Sequence, residues 1–593
     1  MRELRAVVPF LAPYRRAYAA GLLLVVVSNF FTTLGPRFLQ RGIDALAREA
    51  PLEAVRTAAL LLLGVAVLGG AARFGMRQLL NSGSRRVETD LRAALFRHLE
   101  RLSAAFYDRS SVGDLMARLT NDLLAVRMVA GPGLMYLVDT VTRALLIGPA
   151  MLAISPALTG LALLPLIGLP VVMTVLGGRI HRRSEAIQAQ FAELSTHVHE
   201  NLSGARIVRA YRQEEPEAAR FGTLSEEYGR RNVALARAQG LFHPLLALLG
   251  GLGTAIVLGY GGALVLRGQV SVGEFVAFGV YLAMLLWPMI ALGWVINLLQ
   301  RGEASMKRVN QVFREVPAVA PPARPVPMPP AARGRRLEFE AVWFRYPAAE
   351  DRGWVLQDIS FHLDAGRSLA VVGATGAGKS ALVELVSRTY DPERGRITLD
   401  GVDLRDLHPA DLRAAVGFVP QETFLFNAPL RENLLLGAPD DGRLERALAV
   451  AQLTDTVGDL PHGLDTVIGE RGVTLSGGQK QRAAIARALV QDPPVFVLDD
   501  SLSAVDAHTE AAILAGLRGA LAERTSLVVS HRLAAVRDAD EILVLDAGRV
   551  VERGTHAALL AREGRYWQLL RRQQLEEELE AVGGERGPGT GER

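Results

Sequence analysis

The eight residues Gly373 to Ser380, GATGAGKS, have the spacing of a loop that cradles nucleotide phosphates. They follow the apolar strand pattern SLAVV and lead into a helical pattern, which is the context such a loop needs. Gly373, Gly376 and Gly378 let the backbone turn sharply, so that its N–H groups, including those of Ala374, Thr375 and Ala377, converge on phosphate oxygens. The helix behind them points its positive dipole end at the same place. Lys379 brings a compact point charge to the terminal phosphates, and the Ser380 hydroxyl is suited to ligate magnesium. Lysine occurs elsewhere only at Lys307 and Lys480, in a chain that otherwise uses arginine. Downstream, VFVLDDSLSAVD (Val495 to Asp506) ends an apolar strand on Asp499 and Asp500. A carboxylate at such a strand end can hold the magnesium through water.

The elements that position these groups belong to the second of two dissimilar halves. A chain of 593 residues exceeds what one core usually supports, and a half-apolar composition with mean hydropathy +0.20 predicts a membrane part joined to a soluble part. Six apolar segments are long enough to cross a bilayer, at 17–39, 57–76, 129–153, 157–178, 241–266 and 272–299. Long Arg-rich helical stretches, 77–128 and 179–240, follow the second and fourth segments, whereas only ISPA separates the third from the fourth and RGQVS the fifth from the sixth. The positive-inside tendency puts these arms and the N-terminus in the cytoplasm, and an even number of crossings returns the C-terminal half there. The start, MRELRAVVPFLAPYRR, has no small-residue cleavage site and reads as no removable signal. The domain plan is therefore a polytopic α-helical membrane domain over 1–315, a Pro-rich linker at 316–335, an α/β phosphate-loop domain over 336–575 and a disordered polar tail at 576–593.

Composition also excludes several classes. With no cysteine there are no disulfides and no thiolate metal sites. A net charge of +4 is small for this length, and arginines flanking membrane segments account for it, so nucleic acid is not an expected partner.

At 475–479 stands LSGGQ, followed by the helical KQRAAIARALV. With it, the chain resembles ATP-binding cassette exporters over nearly its whole length. In that resemblance Ser476, Gly477, Gly478 and Gln479 are the signature that binds the nucleotide of a partner cassette. Tyr346 of FRYP is similar to the aromatic that stacks on adenine, and Gln421 of VPQETFLF to the glutamine that reaches the magnesium. Asp506 of SAVD resembles the contact loop between cassettes, and His531 of VVSHR the switch histidine at the γ-phosphate. The segments 106–127 and 200–221 resemble the coupling segments of the arms. The fold implied is the type IV exporter fold, six membrane helices with cytosolic extensions followed by a cassette that binds ATP and Mg2+. The location implied is the inner cell membrane, with the cassette and both termini cytoplasmic.

One residue departs from the family pattern. After the magnesium aspartate the family normally has a glutamate that orients or deprotonates the attacking water, and here stands Asp500, shorter by one C–C bond. With LSGGQ intact, the resemblance implies half of an unequal pair of the heterodimeric multidrug or peptide type. The partner is a homologous half-transporter that carries the glutamate, and the cargo is amphipathic. The alternatives are a homodimeric exporter or lipid flippase using Asp500 as a slow base, and an ATP-gated regulator that does not pump. Asp139 and Arg143, at i and i+4 in the third apolar segment, read equally as a pair between helices or as part of a substrate cavity.

Overall fold

The computed structural model describes residues 2–584 apart from 331–332, 349–352, 470–474, 531 and 533–535. Side chains are not described at 166–167, 169–174, 242–243, 246, 286, 289–290, 292, 507 and 576–584. The chain divides into two units: Met1–Glu100 with Gly113–Arg314, and Arg101–Val112 with Glu315–Arg593.

The first unit is helical. Its main helices are α1 (Arg15–Ala47), α2 (Leu52–Leu99), α3 (Leu134–Ile154), α4 (Pro156–Ser203), α5 (Ala205–Ala210), α6 (Glu214–Gly240), α7 (Phe242–Ile256) and α8 (Val272–Arg314). At 48 residues each, α2 and α4 run about 72 Å at 1.5 Å per residue, well beyond a hydrocarbon core of about 30 Å. Four helical stretches among the described residues are long and apolar enough to cross a membrane: Glu3–Ala47, Leu52–Leu99, Val112–Ile154 and Ala247–Leu266. The other two expected spans fall on α4 and α8, whose described apolar stretches are the shorter Pro156–Pro165 and Val272–Leu285.

Asp139 and Arg143 pair one turn apart on α3, and Asn29 ties the pair to α1. Asp139 is buried on α3, and Arg143 Nε donates to its carboxylate and to Asn29 Oδ1 on α1, both at 3.2 Å. Asn29 Nδ2 closes the loop by donating to the Asp139 carbonyl at 3.2 Å. The polar groups thus satisfy one another and lock α1 to α3. Breaking a buried pair from one side leaves an uncompensated charge. Asp139→Ala is therefore expected to cost about 3 kcal/mol, read as a lower unfolding midpoint in detergent, with Asp139→Asn costing less.

The second unit carries two main sheets. In the first, β1 (Leu337–Phe344) lies between β2 (Leu356–Leu363) and β4 (Arg394–Leu399), with β5 (Val402–Asp403) beyond β4. The second contains β3 (Ser368–Gly373), β6 (Val416–Val419), β7 (Val495–Asp499), β8 (Thr525–Val529), β9 (Glu541–Asp546) and β10 (Arg549–Gly554), in the order β10-β9-β3-β8-β7-β6. All neighbours in it are parallel except the β9–β10 edge. Parallel strands are buried on both faces, which is why β7 reads as the unbroken apolar run VFVL. Register pairs Asp499 with Val529 and Val529 with Val371, so the aspartate and the phosphate loop emerge at the same carboxyl edge.

Residues Arg101–Val112, inside the first arm by sequence, fold with this unit. Ala104 and Ala105 pack on its core, Tyr390 donates to Asp108 at 2.8 Å and Arg109 pairs with Glu315 at 2.5 Å. At the C-terminus, α12 (Arg565–Gly584) continues through 576–584, where a disordered tail was expected. The stretch LEEELEAV supplies good helix formers up to the glycines that end it. Residues 585–593 lie outside the described ones.

Candidate functional site

The phosphate loop joins β3 to α9 (Lys379–Val386). Gly378 caps α9 with φ +99°, a conformation side chains resist, and a Cβ there would stand 2.9 Å from the Val355 carbonyl. Ala374, Thr375 and Gly376 are exposed, leaving their backbone N–H groups open to a ligand. Lys379 Nζ donates to the carbonyls of Gly373 (2.9 Å) and Ala374 (3.0 Å), so the ammonium arches over the loop it serves. Burial pushes its pKa down, while Asp500 and Asp499 pull the other way. A partly desolvated cation at a loop of free N–H donors is an anion site.

Asp499 is 4% exposed at the end of β7, beside Ser380, and its Oδ1 has no hydrogen-bond partner. A hydroxyl next to a buried carboxylate oxygen left without a donor is the setting a hard dication needs, so these residues fit magnesium. Burial chiefly, and the charge of Asp500, hold the Asp499 carboxyl above the usual aspartate range, with Ser380 and Lys379 opposing. Metal binding must then release a proton. Mg2+ affinity of the full chain with ATP is expected to climb as pH rises above the ordinary aspartate range and to level off once Asp499 is ionised. Asp499→Asn should bind weakly and without that slope, and calorimetry in buffers of different ionisation enthalpy reads both. Without metal the sign for stability is opposite. The folded state holds the proton more tightly than the unfolded, so stability falls as pH rises through the same window.

Asp500 adopts φ +45° and its N–H donates to the Val529 carbonyl at 2.9 Å. A non-glycine residue in the left-handed region is uncommon, and asparagine and aspartate tolerate it best. The backbone is thus fixed, and only side-chain length decides how far the carboxylate reaches.

Tyr346 sits edge-on to Phe344 and Tyr390, and its hydroxyl donates to Glu384 Oε2 on α9 at 2.8 Å. Burial and the facing carboxylate raise its pKa, and burial raises that of Glu384. A chain of contacts therefore runs from Asp108 through Tyr390 and Tyr346 to α9. Gln421 is exposed on the loop after β6, and its side chain makes no hydrogen bond among the described residues. His531 lies outside the described residues.

The signature opens α10 (Gly477–Val490) as a capping box. Ser476 Oγ accepts from Gln479 N at 3.2 Å, and Gln479 Oε1 accepts from Ser476 N at 2.8 Å, satisfying two end donors and leaving others outward. Gly478 runs against the loop after β7, where a Cβ would stand 2.7 Å from the Ala504 carbonyl. That loop is clamped from two sides. Buried Gln481 accepts from Ala504 N at 2.9 Å and donates to Ser503 Oγ at 3.0 Å. Arg532 donates to the Ser503 and Val505 carbonyls, at 3.0 and 3.1 Å, and pairs with Glu510 on α11 (Ala507–Leu521). Asp506 caps α11 through Thr509 N at 2.9 Å. Reading by motif missed Gln481, Arg532, Glu510 and Glu384. Only the sheet order brings them to the loop or the site, and no spacing announces it.

The ABC transporter transmembrane region family matches residues 18–289, and the ABC transporter family matches residues 356–503. The Bacillus subtilis protein described as a probable multidrug resistance ABC transporter ATP-binding/permease protein, YheI, is 39% identical over 95% of this chain and 97% of its own length. The multidrug resistance-like ATP-binding protein MdlA of Escherichia coli is 34% identical over 95% of each chain. The ATP-dependent lipid A-core flippase of Nitrosococcus oceani is 34% identical over 96% of this chain and 95% of its own. Among solved structures, a bacterial Atm1-family ABC exporter with ATP bound superposes with a TM-score of 0.76, at 29% identity over 94% of this chain and 99% of that one. The chain belongs to the ATP-binding cassette exporter family, with a membrane region followed by an ATP-binding cassette. It is an ATPase coupled to transport across a membrane.

Proposed function

We propose that the chain is one subunit of a heterodimeric exporter that moves amphipathic substrates, drugs, peptides or lipids, out of the cytoplasm by alternating access. The observation that carries this reading is the combination at one chain of a short base, Asp500, on a fixed backbone, and a well-formed signature. In the proposed pair, Lys379 and the loop 373–380 hold the phosphates of one ATP, and Tyr346 packs on its adenine. Ser380, Asp499 and Gln421 hold magnesium, which supplies charge neutralisation at the transferred phosphate. His531 contacts the γ-phosphate. Asp500 orients water poorly, so this site mainly holds ATP. Ser476 to Gln479 complete the partner's site, where the partner's glutamate drives most hydrolysis.

The membrane half crosses six times over residues 1–315 in the inner membrane, with the linker 316–335, the cassette 336–575 and both termini in the cytoplasm. Support comes from the helices running far past bilayer length and from Arg101–Val112 folding with the cassette unit. Inside-out vesicles holding the assembled transporter should accumulate an amphipathic dye uphill, with ATP and sensitive to vanadate. Equilibration without accumulation overturns the exporter reading.

A homodimeric exporter or lipid flippase is the second reading, favoured by the relatives named as lipid A-core flippases. Vigorous ATP turnover by this chain purified alone would select it.

A further inference from the structure

Two cavities adjoin in the membrane unit. One of about 350 Å³ is lined by Tyr136, Trp287, Ala291 and Trp294. The other, of about 400 Å³, shares Tyr136 and Trp294 and is lined by Arg77 and Asn81 at its polar side. Their walls are interrupted helix: Val129–Gly133 form a π turn containing Pro132, and α8 carries Pro288 directly after Trp287. A widened turn and a proline spread neighbouring side chains, and such interruptions at membrane depth are tolerated where they line a cavity.

The polar side is short of acceptors. Arg77 makes no ion pair or hydrogen bond among the described residues, and neither do the side-chain amide of Asn81 and the hydroxyl of Tyr136. Among the described residues no acidic side chain lines either cavity. One turn from Arg77, Arg73 faces the Asp139–Arg143 pair, whose carboxylate is already held by Arg143, and it adds a second positive charge beside Arg77. Arg77 stands roughly 38 Å along α2 from Leu52, and Trp294 roughly 33 Å along α8 from Val272, at about 1.5 Å per residue. Against a hydrocarbon core of about 30 Å, both lie near the far interface from those helix starts. In the proposed topology that is the cytoplasmic headgroup level, with the aromatic side reaching into the membrane.

We propose that the two cavities form one binding site for an amphipathic anion, with its apolar body against Tyr136, Trp287 and Trp294 and its phosphate or sulfonate head on Arg77 and Asn81. An unpaired arginine beside free donors favours an acceptor-rich head, and indole faces favour the apolar body. This names the substrate class for the exporter reading and rests on it only for transport. Binding is measured without nucleotide, so the two can fail separately.

The test uses the full chain in neutral phosphatidylcholine nanodiscs, with energy transfer from tryptophan to a dansyl-labelled alkyl phosphate or to its amine-headed counterpart. The phosphate probe is expected to bind at least about tenfold more tightly, as one charge-assisted hydrogen bond would give. Arg77→Gln should remove that preference, Arg77→Lys should keep most of it, and Trp294→Ala should weaken both probes. Should Arg77→Gln lose both probes, Arg77→Lys decides, since a lysine variant without the preference overturns the proposal. Equal binding of the two probes by the wild type overturns it as well. Two competitors separate the sources: phosphatidic acid placed in the disc, and a naphthalene sulfonate added from solution. Displacement by either supports the site and identifies the route of entry, whereas displacement by neither contradicts it.

Discussion

Replacing Asp500 by glutamate raises ATP hydrolysis at this chain's own phosphate loop by about 10- to 100-fold. The backbone at 500 is pinned by its left-handed φ and by the Val529 carbonyl, so the carboxylate cannot advance by shifting the strand end. One added methylene carries it roughly 1.5 Å further. A misplacement of about 1 Å costs on the order of 100-fold, within the range a positioned base contributes. The left-handed conformation suits glutamate less than aspartate, which sets the lower end of the range. The rate is read in the assembled transporter with the partner's glutamate changed to glutamine, so that only this site turns over. No gain there means that reach is not what limits Asp500.

Much of this site was legible before any coordinates. The loop at 373–380, Asp499 and LSGGQ are contiguous runs whose chemistry depends on local backbone, and the structure places them as strand-loop-helix, strand end and helix cap. What stayed hidden depends on distant pairing. The clamp of Gln481 and Arg532 on Ser503 to Val505, and the run from Asp108 through Tyr390 to Tyr346, join residues that only the sheet order and the folding of 101–112 bring together. Asp139 and Arg143 were ambiguous for the same reason. Their third member, Asn29, lies on another helix. The left-handed turn at Asp500 carries no sequence signal, since aspartate serves many conformations.

The second large effect comes from the signature. Gly478→Ala places a methyl carbon 2.7 Å from the Ala504 carbonyl, a backbone atom clamped by Gln481 and Arg532 on either side and unable to retreat. The start of α10 must tilt away, displacing the Ser476 cap that faces the partner's nucleotide in the proposed pair. A shift of about 1 Å there should lower hydrolysis at the partner's site by around 100-fold. ATP binding at this chain's own loop, which Gly478 does not touch, should persist. Steady-state ATPase together with photolabelling by an azido-ATP analogue separates the two sites. Equal loss of labelling on both chains would show that the substitution unfolds the cassette instead of moving the signature.

The claim at the centre of the account is that the two sites are unequal because Asp500 is a poor base. It is tested most directly by steady-state ATP turnover of the assembled transporter, comparing Asp500→Asn in this chain with glutamate to glutamine in the partner. The expected result is a loss of a few-fold for Asp500→Asn against about 100-fold or more for the partner's change. Equal losses from the two substitutions would contradict the account.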